Sequence, residues 1–72
     1  MQKTETGYNI RTYDNGVLHF VIGRIYTAIG TCGEAKDTKV KGVLNYSERL
    51  EELILETRKG TCAINERTLS YL

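Results

Sequence analysis

The chain has 72 residues, a formal net charge of +1 and 26% charged residues, which describes one small domain with no strong pull toward polyanions or membranes. A chain of this length buries only about 60% of the surface its unfolded form exposes, yet its 18 Leu, Ile, Val and Phe residues and low net charge place it among folded globules rather than disordered segments. No apolar run could cross a bilayer, and Met1-Gln2-Lys3-Thr4-Glu5 has no signal-peptide stretch, so the reading is of a cytoplasmic protein with no membrane partner.

Residues 1–6 are polar and read as a frayed end. From Tyr8 to Tyr13 polar and apolar residues alternate, Asp14-Asn15-Gly16 supplies a turn, and Val17 opens a strongly apolar stretch. Asn-Gly between two such runs signals a β-hairpin, because a type I′ turn needs positive φ at both central residues. With Asn15 and Gly16 as a two-residue loop, Tyr13 faces Leu18, Ile10 faces Val21 and Tyr8 faces Gly23. That register puts Tyr8, Ile10, Thr12, Val17, His19, Val21, Ile25 and Ile29 on one face. Arg11, Tyr13, Leu18, Phe20, Ile22, Arg24 and Tyr26 fall on the other. Drawn as one strand, residues 17–29 would run for about 40 Å, too long for a globule of about 11 Å radius of gyration, so the chain must bend, and Gly23 is the natural place.

Residues 30–37 read as a connection, and Thr38 to Leu44 as a further strand whose Lys39 and Lys41 suit a sheet edge. Residues 46–59 have helical spacing at Tyr46, Leu50, Leu53, Ile54 and Thr57, capping residues at Asn45 and Ser47, and Arg58, Lys59 and Gly60 at the far end. Leu55 points off that helical face. The tail from Thr61 admits either a closing strand through Leu69 and Tyr71 or a short helix opened by Asn65. The expected fold is α+β: an antiparallel sheet of three or four strands, the hairpin of residues 8–29 first, with one helix packed on one face.

A single helix covers one sheet face, which leaves Leu18, Phe20, Ile22, Tyr13 and Tyr26 without cover. Soluble monomers rarely expose large contiguous apolar patches, and small domains often gain stability by association. The expectation is a non-enzymatic protein-binding module, an inhibitor, adaptor or regulator of the kind mobile elements and phages encode. It would dock Arg11, Tyr13, Leu18, Phe20, Ile22, Arg24 and Tyr26 against another protein or its own copy, most simply as a homodimer. The same aromatic and arginine mixture occurs in single-strand binders, so nucleic acid bound with the help of Lys36, Lys39 and Lys41 is the alternative. A small-ligand pocket between subunits is a further one.

No catalytic, cofactor or metal motif stands out. His19 lacks a carboxylate to orient it in this register, and one His with two Cys falls short of a structural zinc set. Gly30-x-x-Gly33 lacks the phosphate-loop spacing, and Glu52 with Glu56 makes an acidic helix face rather than a catalytic pair. Asn45-Tyr46-Ser47 matches a glycosylation sequon, read as chance in a chain without an export signal. Cys32 and Cys62 are expected to remain free thiols in a reducing compartment.

Overall fold

Side chains alternate between covered and exposed at residues 25–30 and 39–45, the period-two pattern of strands covered on one face. The computed structural model, which describes residues 1–72, is accordingly all-β: β1 (Gln2–Lys3), β2 (Gly7–Thr12), β3 (Gly16–Val21), β4 (Ile25–Cys32), β5 (Ala35–Ser47), β6 (Glu52–Thr57) and β7 (Gly60–Ser70). Strands β1, β2 and β3 form an antiparallel sheet in that order, and β4-β5-β6-β7 close into a barrel through a β4–β7 pairing. There is no helix, so the expected α+β architecture with a helix over 46–59 is wrong. Gln2 and Lys3, within the end read as frayed, pair with Asn9 and Tyr8.

The physical reason lies at Leu53-Ile54-Leu55, all three of which are buried. A helix lying on a sheet turns its side chains by about 100° per residue and cannot bury three in succession on one narrow face. As strand β6, the same residues put Leu53 and Leu55 into the core and set Ile54 between its ladder partners Asn45 and Ala63. Leu55, assigned to the outside of a helix, is completely buried. The residues read as helix caps serve turns instead. The Ser47 hydroxyl accepts the Leu50 N–H at 3.2 Å inside the 48–51 turn, and Arg58-Lys59 form the two-residue loop joining β6 to β7.

The first hairpin is present, with a different loop. Thr12 pairs with Gly16, leaving Tyr13-Asp14-Asn15 as a three-residue connection. The Thr12 hydroxyl holds it by donating to the Gly16 carbonyl at 2.8 Å and accepting the Asn15 N–H at 3.1 Å. Gly16 takes the left-handed conformation that closes such a loop, with φ +66°. Tyr8 therefore faces Phe20 rather than Gly23. That slip of three residues is odd, so it turns β2 over relative to β3. Tyr8, Ile10 and Thr12 now share the inner face with Leu18 and Phe20, while Asn9 and Arg11 share the outer face with His19 and Val17. The bend expected at Gly23 is where β3 passes into β4.

Residues 30–37, read as a connection, instead end β4, turn at Gly33-Glu34 and begin β5. Strand β5 pairs with β4 from Ala35 to Val43 and with β6 from Val43 to Ser47, so it hands over between neighbours near Val43. Gly42 makes the handover possible, since a Cβ there would run into the Glu56 carbonyl and the Thr57 methyl. On the other side of the barrel, β7 bulges opposite Thr27–Ile29. The Thr68 hydroxyl bridges the interruption, accepting the Ile29 N–H at 2.8 Å and donating to the Asn65 carbonyl at 2.6 Å. The tail is thus a strand. Sheet and barrel share one core built around Ile10, Phe20, Leu44, Leu53, Leu55 and Leu69. A Tyr13 N–H bond to the Arg67 carbonyl, at 3.0 Å, also ties the hairpin loop to β7.

Cys32 and Cys62 form a disulfide across the β4–β7 ladder, which corrects the free-thiol expectation. Thr31 pairs with Ala63, so the next positions, 32 and 62, stand opposite one another. Their Cα atoms lie 4.6 Å apart, the spacing of a non-hydrogen-bonded antiparallel pair, about 4.5 Å. Sequence separation alone carried no hint of this proximity, because it depends on the barrel closing.

Candidate functional site

The sheet face proposed for recognition is divided by the fold. Phe20 is fully buried and Tyr26 nearly so, the two rings meeting edge to face at a centroid distance of 5.0 Å. Tyr71 from the chain's end lies over both, 5.4 Å from Phe20 and 5.9 Å from Tyr26, and its hydroxyl donates to the His19 carbonyl at 2.7 Å. The Tyr26 hydroxyl accepts the Val21 N–H at 2.9 Å. Leu18 and Ile22 are half-buried against the same core, whereas Arg11, Tyr13 and Arg24 are exposed. Phe20 and Tyr26, the aromatic centre of the expected patch, are therefore covered by the protein itself, while Leu18 and Ile22 stay half-exposed and Tyr13 exposed.

The structure opens a different surface, along β5. Because β5 joins β6 only from Val43 onward, residues 35–42 are paired on the β4 side alone. Asp37, with φ +49°, marks a bulge beside Lys36, and regular edge resumes at Thr38. A groove of about 770 Å³ follows this edge. One wall is the unbroken run Thr38-Lys39-Val40-Lys41-Gly42-Val43, and the other is Glu56-Thr57-Arg58-Lys59, where β6 turns into β7. The consecutive run brings the edge of β5 to the groove, since a face alone would contribute every second residue, and Ile25 and Cys32 of β4 with Ala35 complete the lining.

The direction of the backbone groups follows from the ladder. The Leu44 N–H donates to the Arg24 carbonyl at 2.9 Å, and the Ile29 N–H points away from β5, to Thr68. Antiparallel pairs alternate between bonded and non-bonded positions. Stepping back from Leu44 along β5 therefore directs Gly42, Val40 and Thr38 at β4, and turns the N–H and C=O of Lys41 and Lys39 into the groove. Four cationic side chains line it, Lys39, Lys41, Arg58 and Lys59, against the single carboxylate of Glu56. That carboxylate also accepts a bond from the Asn45 amide at 3.0 Å. Of the sequence-derived basic residues, Lys39 and Lys41 line the groove and Lys36 stands at the bulge outside it. Arg58 and Lys59 were missed because a helix end accounted for them.

A second group was missed for the register reason. His19 Nδ1 lies 2.8 Å from Asn9 Oδ1, and Nε2 lies 3.3 Å from Thr6 Oγ1. Since Oδ1 only accepts, the imidazole donates through Nδ1 and accepts through Nε2 when neutral. The orienting partner thought absent is thus an asparagine. The group is exposed, and neither His19 nor Asn9 lines the β5 groove or the one beside Tyr8 and Tyr46.

Comparison with known proteins finds no matching family model, no matching curated protein and no matching solved structure. No helix is long and apolar enough to cross a membrane.

Proposed function

We propose that this protein is a non-catalytic protein-binding module that takes an extended segment of its partner as an added strand on the open edge of β5. The observation that carries the reading is that Lys39 and Lys41 have no ladder partner on the side away from β4 and line a groove of about 770 Å³. An edge of this kind supplies main-chain hydrogen bonds to any extended peptide, and the side chains beside it choose among peptides. The disulfide that closes the barrel favours a non-reducing setting over the cytoplasm expected from the sequence.

The test is a titration of isotopically labelled protein with a short extended peptide, followed by amide resonances. Strand addition moves the resonances of residues 38–43 and fails when the same peptide carries N-methyl groups on alternate residues, because these remove the donors without changing side chains. Equal responses to both peptides, or shifts confined to other surfaces, would show that the edge is not the binding element.

A further inference from the structure

We infer that the segment taken up at this edge is acidic, with carboxylates at alternate positions. The inference rests on the strand-addition reading above and adds the chemistry of the partner. Lys39 and Lys41 stand two residues apart on the outer face of β5. A strand laid beside them presents its own side chains with the same period, so every second residue of the newcomer meets a lysine. Arg58 and Lys59 face the same channel from its other wall. The channel thus offers cations on both sides, and its one carboxylate, Glu56, is already engaged by Asn45.

The same charges discriminate between occupants. A second copy joining edge to edge would set Lys39 and Lys41 against their own counterparts, and like charges directly opposite destabilise a strand pair. Lysines on an edge are a common guard against self-association; here they turn away the chain's own copy while leaving the edge open to carboxylates. Single-stranded nucleic acid would answer the charge, but no aromatic side chain lines the groove to stack a base. A phosphodiester backbone also cannot return the alternating donors and acceptors that Lys39 and Lys41 present.

Four probes test this: a short peptide alternating Glu with Thr, the same peptide with Gln for Glu, the same with Lys for Glu, and an oligothymidylate of similar length. The Glu peptide is expected to bind at residues 38–43 about tenfold or more tightly than the Gln peptide, with the difference shrinking as salt is raised. In the double variant Lys39→Glu and Lys41→Glu the preference should pass to the Lys peptide. Both side chains are exposed, so the fold should survive the change, and circular dichroism verifies it. Equal affinity for the Glu and Gln peptides overturns the acidic partner and leaves strand addition standing. Tighter binding of the oligothymidylate at the groove overturns it in favour of nucleic acid. Silence from every peptide overturns both readings together.

Discussion

Phe20 lies at the point where sheet, barrel and chain end meet, with Tyr26 edge-on and Tyr71 across it. Replacing it with alanine removes a fully buried ring and should cost about 3–5 kcal/mol. A domain this small holds about 5 kcal/mol or little more. Phe20→Ala should therefore show a lowered denaturation midpoint with much of the stability gone, and Phe20→Asp should not fold at all. A Phe20→Asp protein that keeps its circular dichroism and its melting transition would restore the residue to the surface. Thr68 makes a smaller, separate case. Thr68→Val keeps the shape but removes the acceptor for the Ile29 N–H, so a loss of about 0.5–1.5 kcal/mol is expected in urea denaturation.

At the scale of elements, the handover of β5 from β4 to β6 depends on Gly42. Gly42→Val drives a side chain into the Glu56 backbone and should destabilise the barrel by about 3 kcal/mol, read from the urea midpoint. Several strands were legible in the sequence. The alternation before Asn15-Gly16, the bend at Gly23 and the lysine-bearing edge after Thr38 all follow from period two and turn chemistry. The 46–59 segment was not, because its apolar residues satisfy both templates. Leu50, Leu53 and Ile54 fit a helix while Leu53 and Leu55 fit a strand, and periodicity cannot separate these within a short apolar run. Closure of the barrel decided it, a long-range event with no local signature. Register failed for a related reason. Asn15-Gly16 permits a two-residue loop, but the Thr12 hydroxyl stabilises a three-residue one, and that single choice turned Tyr8, Ile10 and Thr12 onto the face that carries Phe20. The candidate site was half visible. Lys39 and Lys41 stood out as edge lysines, while Arg58 and Lys59 joined them only when β6 turned back on itself.

For the molecule as a whole, the disulfide is the staple that a chain of this size calls for. It closes a loop of 30 residues, which on the chain-entropy account is worth about 3–4 kcal/mol. Changing both cysteines to alanine should lower the melting temperature by roughly 12–30 °C; an unchanged melting curve would mean that the β4–β7 ladder holds without the bond. With Phe20 covered by Tyr71 and lysines on the open edge, the free protein should sediment as a monomer. The central claim, that Lys39 and Lys41 present a free backbone edge that a partner strand fills, is tested most directly by amide hydrogen exchange with and without the Glu peptide. In the free protein the Lys39 and Lys41 amides should exchange fast while those of Val40 and Gly42 are protected, and saturating peptide should slow the two lysine amides by about tenfold or more. Lysine amides already protected in the free protein, or still fast with peptide bound, would contradict it.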